Sequence, residues 1–234
     1  MKPAFQLAIL LLIQAACPAG GCLAQVVVDR MAAVVNKRVI LESELDQAAR
    51  VEYLVQGKPL SGGRLNPVEL QAVLDQLIDR SLLEQQIVHP DMLAPSPEEL
   101  DARLQEIRKR VSGAGSDEGW KALLASYGVI EQDVIEHLTS EFRVLRLVDL
   151  RFRGLVRIDK SAIAGYYQEK FVPELNHRGA SPPPLEEVSD KIEKILVEQR
   201  VDDMLNEWLQ TLRSQAHIER MGPAETNPPG GAHP

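Results

Sequence analysis

Histidines, paired carboxylates and a run of arginines are the residues of this chain that could do chemistry. Histidine does acid–base work or binds metal only with partners at a suitable spacing. His89, His137, His177, His217 and His233 have no such spacing from one another, and no HExxH pair occurs. His137 sits between Glu136 and Leu138 in a helical pattern and reads as a solvated or capping residue. Glu98-Glu99, Asp117-Glu118, Glu186-Glu187 and Asp202-Asp203 are adjacent pairs. Neighbours on a helix do not face one site, so these acids suit helix dipoles and solubility rather than paired-acid catalysis. No GxSxG elbow, phosphate loop or GxGxxG is present, and Gly113-Ala114-Gly115 reads as a helix break. The expectation is therefore no catalytic residue, no metal and no cofactor. Arg143, Arg146, Arg151, Arg153 and Arg157 crowd one stretch broken by apolar residues. They suit either anionic lipid head groups and acidic polypeptide segments or acids on neighbouring helices near Glu187 and Glu193. Arginine stems commonly lie along apolar surface, which favours the second use. Tyr166 and Tyr167 are adjacent and must point apart, one to the core and one outward; Trp208 falls on an apolar stripe and suits packing.

The elements that would position these residues are mostly helices. Val26 to Leu41 reads as a β-hairpin turning at Asn36-Lys37, because Asn tolerates left-handed backbone. Ser43 is placed to cap a first helix running to about Gln56, and Gly57 to Arg64 is a Gly/Pro loop. Asn66-Pro67 and Ser96-Pro97 are helix starts. The first of these helices runs to about Val88, and the second breaks at Val111 to Gly115. Asp117 to Tyr127 is a short helix stopped by Gly128. Val134, Ile135, Leu138, Phe142, Leu145, Val148 and Phe152 recur at gaps of three and four, which predicts a long helix from near Glu131. Asp159 or Ser161 starts another helix, reaching about Phe171. Val172 to Pro184 reads as a linker, Leu185 to Arg213 as the longest helix, and Ala216 to Glu219 as a terminal strand. Met221 to Pro234 has the composition of a disordered tail.

Lys2 followed by the apolar run Ala4 to Ala16 and the small residues Ala19 to Ala24 is the pattern of an export signal, with cleavage after Ala24. Cys17, after Gln14-Ala15-Ala16, keeps a lipoprotein as the alternative. Cleavage removes both cysteines and, with Lys2, moves the net charge from −8 to −9. The acidic balance argues against general nucleic-acid binding. The expected location is the periplasm. With aromatics at 4%, a core must rest on Leu, Ile and Val.

Val28 to Leu45 (VDRMAAVVNKRVILESEL) resembles the start of mature SurA-type periplasmic chaperones. Pro67 to Leu83 is similar to that family's next helix. Asp159 to Tyr167 (DKSAIAGYY) resembles the helix before the prolyl-isomerase domain in SurA and PrsA-like foldases, and Leu185 to Ile218 the helix and strand after it. The departure is in between, where the family carries a parvulin-type isomerase domain. Here only the thirteen residues Val172 to Pro184 intervene, and domains rarely fold below about 40 residues. The resemblance therefore implies the helical chaperone core without isomerase activity.

The expected fold is mainly α: six to seven helices with a small N-terminal hairpin completed by the C-terminal strand. Its parts are a signal at 1–24, a helical module at 25–171, the linker at 172–184, a helix and strand at 185–220 packing back on the module, and a tail at 221–234. The expected function is an ATP-independent chaperone for unfolded polypeptides, chiefly outer-membrane protein precursors. Tyr53, Leu54, Trp120, Tyr127 and Tyr167 are candidate client contacts at the rim, though each also suits a core position. Two other readings stay open: an adaptor module in envelope assembly, and a prolyl isomerase by family membership alone.

Overall fold

The architecture comes from a computed structural model that describes residues 29–60 and 65–221. The expected signal, Val26–Val28, residues 61–64 and the tail beyond Met221 lie outside the described residues.

β1 (Met31–Val35) and β2 (Arg38–Leu41) form the expected hairpin, with Asn36 in the left-handed region at φ 57°. A bulge between Met31 and Ala33 lets both Ala32 and Ala33 reach the core. β3 (Ile218–Arg220) pairs antiparallel with β1, with Val35 opposite Ile218 and Ala33 opposite Arg220. The sheet order β2-β1-β3 thus joins the two ends of the described chain. Asn36 anchors this junction. Its N–H donates to the His217 carbonyl at 2.7 Å, its Oδ1 accepts the His217 N–H at 2.9 Å, and its Nδ2 donates to Gln85 Oε1 at 2.8 Å. The Met221 N–H also donates to the Ala32 carbonyl, so the pairing runs one residue into the expected tail.

α1 (Glu42–Gln56) follows β2 with no linker, so Ser43 falls inside the helix and does not cap it. Asp29 does that work: its carboxylate accepts both the backbone N–H and the hydroxyl of Ser43. α2 (Pro67–Glu84) starts as expected, with Asn66 Oδ1 accepting the Val68 N–H at 3.0 Å. It stops before Val88, where the Gln85 side chain turns to the Val35 carbonyl beside the hairpin turn. Ser96 and Glu99 form a reciprocal cap on α3 (Pro97–Arg110), and Ser116 caps α4 (Asp117–Tyr127). α5 (Glu131–Phe152) is the long helix the spacing predicts.

α6 (Lys160–Tyr166) does not end at Phe171. It passes through a π-helical turn at Tyr167–Phe171 into α7 (Val172–His177). Pro173 explains the widened turn. It has no N–H, and its ring would press on the carbonyl four residues back, so the ladder slips and Val172 reaches back five residues to Tyr167. The expected linker is thereby shortened to Arg178–Pro184. α8 (Leu185–Gln215) is a single helix of 31 residues.

α1 lies between two cores. Val51, Leu54 and Val55 join Leu104 and Ile107 of α3, Trp120 and Leu124 of α4, and Val134 and Leu138 of α5. Ala49 joins the second core with Ala33, Val35 and Ile40 of the sheet, Leu74, Ile78 and Leu82 of α2, and Leu212 of α8. A third cluster, Val148, Phe152, Val156 and Val201, holds α8 against the end of α5, where Trp208 meets the Phe152 ring edge-on at 5.5 Å. α8 thus changes partner along its length, from α6 to α5 to α2.

Candidate functional site

α4 is set by a close backbone approach. A Cβ on Gly119 would lie 2.2 Å from the Gly113 carbonyl oxygen, so only glycine lets the first turn of α4 seat against the 111–115 turn. At the other end Gly128 takes the left-handed conformation, at φ 68°, and turns the chain through Val129 and Ile130 into α5. Between these fixed ends lies an open groove of about 640 Å³. Leu124, Ala125, Val129 and the indole of Trp120 form its apolar side. Ile130 stands over it with 64% of its surface exposed.

The charges at the rim are largely paired among themselves. Arg108 donates to Asp117 at 2.7 Å and to the Ala114 carbonyl at 3.2 Å, with its guanidinium 5.8 Å from the Trp120 ring centre. That guanidinium holds the Asp117 carboxyl below its usual range. Trp120 Nε1–H donates to Glu131 at 2.6 Å. A groove with an apolar floor and a self-satisfied rim asks little of a ligand beyond an apolar side chain on an extended backbone. Its volume falls in the range of pockets that take small ligands or a few side chains, roughly 300–1,000 Å³.

This geometry redistributes the expected client contacts. Tyr53, Leu54, Trp120 and Tyr127 all belong to the first core, where each is buried. The expectation of a rim position is corrected for these four, because each is needed to fill the space between α1, α3, α4 and α5. Tyr53 lies under the Lys58 ammonium, 5.8 Å from its ring centre, and Tyr127 donates its hydroxyl to the Lys58 carbonyl at 2.6 Å. Trp120 alone of the four lines the groove. Tyr167 is remote from them, on the π-helical turn, half-buried, stacked on Phe171 and donating to the Pro183 carbonyl at 2.7 Å. Ile130, the most exposed large apolar residue of the groove, escaped sequence reasoning because it lies between helices, outside any apolar period.

The arginines are mostly engaged within the chain. Arg146 binds Glu99 and the Ala94 carbonyl. Arg151 lies 4.2 Å from the Trp208 ring centre. Arg153 makes a two-pronged pair with Glu198 at 2.8 and 3.0 Å and also bonds Asp149. Arg157 donates to the Gly154 and Val156 carbonyls. The acidic partners are Glu99, Asp149 and Glu198, not Glu187 or Glu193. The Nε of Arg143 is buried without a hydrogen-bond partner among the described residues. No group of three metal-binding side chains occurs among those residues. His137 is not solvated as expected: its side chain is 10% exposed.

Comparison with known families places this groove. Residues 4–148 match the SurA-like N-terminal domain, well over half of the chain. The chain belongs to that family. The matched SurA-like domain takes in the hairpin, α1 to α4 and α5 as far as Val148, and so both walls of the groove. No curated protein matches the chain. The family is of chaperone type and points to polypeptide substrates in general. The chain contributes α8 and β3 from beyond the matched residues to complete the domain's sheet and second core.

Proposed function

We propose that this protein is an exported, ATP-independent chaperone that holds unfolded polypeptides, with outer-membrane protein precursors as its clients in the periplasm. It works without isomerase activity. The groove along α4 carries this reading: an apolar floor inside a SurA-like domain, under a rim where Arg108, Asp117 and Glu131 already have partners and Lys121 is the one further charge among the described residues. Such a surface binds apolar segments with little dependence on sequence. Binding the unfolded client lowers its free concentration and slows aggregation by mass action.

The test is aggregation of a denatured outer-membrane protein on dilution, with the chain added at equal molarity. Suppression is expected, and Ile130→Asp should weaken it while leaving the far-UV circular dichroism unchanged, since Ile130 is exposed. No suppression by the unaltered chain refutes the reading. Tight binding to one folded envelope protein without affinity for unfolded chains would establish the adaptor reading instead. Turnover of a proline tetrapeptide would overturn the exclusion of isomerase activity. A membrane-contacting role for the arginines has no support from their placement, because Arg146, Arg151 and Arg153 are held by groups of the same chain.

A further inference from the structure

α1, α2 and the N-terminal half of α5 converge beside β2 on a polar cleft of about 300 Å³. Val51 of the first core and Leu77 of the second both reach it, so the cleft lies between the two cores. His137 forms part of its wall. Its Nδ1 lies 3.4 Å from Arg80 Nη1, and its Nε2 lies 3.6 Å from Glu52 Oε2. Arginine has no acceptor and stays charged, so Arg80 donates and Nδ1 accepts. The imidazole is then neutral, with its one proton on Nε2 towards Glu52.

The other charged groups around the cleft have partners of their own. Arg38 of β2 bonds Glu44 of α1. Glu84 of α2 accepts from Ser140. On α5 itself, Asp133 caps the helix at the Ile130 N–H and Glu136 accepts from Gln132. Glu52 is the anion left facing the ring, and Gln56 already donates to it. A proton arriving at Nδ1 would break the Arg80 contact and set two cations side by side at a ring that is only 10% exposed. Glu52, beyond hydrogen-bond distance, offsets only part of that cost.

We propose that His137 is an acid-operated latch: its protonation parts the first half of α5 from α1 and α2 and opens the apolar core beneath to client segments. Val134 and Leu138, both fully buried, flank His137 on α5 and are the surfaces that opening would uncover. Burial first, and Arg80 second, hold the imidazole pKa at about 4, against the pull of Glu52. An opened state regains an ordinary histidine pKa near 6.5. Its population therefore rises about tenfold per pH unit between about 6 and 4.5, towards a limit of roughly 300-fold below pH 4. The client-capturing half of the latch rests on the chaperone reading above; the opening does not.

The test uses the full chain between pH 7.5 and 4.5. Amide exchange across 131–142, corrected for intrinsic rates, should rise about 30-fold between pH 7.5 and 5, about half of that ratio falling between pH 6.5 and 5, while far-UV circular dichroism holds. His137→Gln keeps an acceptor for Arg80 but cannot titrate, and its exchange should stay flat. Should that variant fail to fold, the ring resonances of His137 are followed in the unaltered chain and in Glu52→Gln, where the ring should titrate lower still. Equal loosening in His137→Gln, or a ring that titrates near 6.5 with no change in exchange, overturns the latch. Loosening at pH 5 without added capture of an unfolded outer-membrane protein overturns its client-capturing half. The aggregation assay at pH 7.5 tests the chaperone reading separately.

Discussion

Replacing Asn36 should divide the energy of the sheet junction into two measurable parts. Asn36 does two things: it accepts a left-handed conformation at φ 57°, and its side chain ties His217 and Gln85 to the turn. Asn36→Gly keeps the conformation and loses both side-chain bonds. Each exposed bond contributes toward the low end of about 0.5–1.5 kcal/mol, so the loss is roughly 1–2 kcal/mol. Asn36→Ala loses the same bonds and adds the cost of a Cβ in the left-handed region, about 1 kcal/mol more. Asn36→Asp keeps the acceptor for the His217 N–H and loses only the donor to Gln85, about half the glycine effect by the same per-bond value. Urea denaturation reads these differences as shifts in midpoint at unchanged slope. Hydrogen exchange should localise them to β3 and the turn. Alanine and glycine variants of equal stability would refute the conformational half of the reasoning. A glycine variant as stable as the unaltered chain would refute the side-chain half.

Three further outcomes follow from the packing. Gly119→Ala must push α4 off the 111–115 turn, because the new Cβ would meet a backbone oxygen that cannot rotate away; a loss of at least about 1–3 kcal/mol is expected, as for other overpacked sites, with increased exchange in α4. Global stability should fall as pH drops from about 6.5 to about 4, because the unfolded chain takes up a proton that buried His137 refuses. Over that window the loss approaches about 3 kcal/mol, absent in His137→Gln, and a urea midpoint series against pH reads it. Phe152→Ala removes a buried ring that packs edge-on against Trp208, and should cost about 3–5 kcal/mol in the same assay.

Much of the fold is legible in the sequence because its signals are local. Asn66-Pro67, Ser96 with Glu99, and Gly128 each fix a helix end through their own backbone bonds. The spacing from Val134 to Phe152 needs only the helix to be read. What failed depended mostly on distant partners. Ser43 is a good cap residue, yet Asp29, fourteen positions earlier, takes its N–H. Pro173 is a good helix breaker, yet a π-turn absorbs it. His137 sits among polar neighbours in sequence, yet Arg80 and Glu52 come from two other helices. The groove is harder still to read, since Ile130, exposed over it, belongs to a three-residue connector and its walls come from a turn and two helix ends.

The matched family domain and the folding unit are not the same stretch of chain. The match ends at Val148, but the second core beneath the sheet is finished by Leu212, with Leu205, Trp208 and Leu209 against it. β3 also covers the edge of β1 that would otherwise present unpaired N–H and C=O groups. A chain cut after Ile158 would leave that edge and the apolar faces of α2 and α5 open to water. Such a fragment should be less stable, visible as a lower urea midpoint, and prone to self-association, visible by sedimentation. Adding the separate peptide 185–221 should restore the monomer, because α8 and β3 bind through surfaces the rest of the chain already forms. A fragment ending at Ile158 that stays monomeric, at unchanged stability, would show instead that the helical module closes its own core and that α8 is a later attachment.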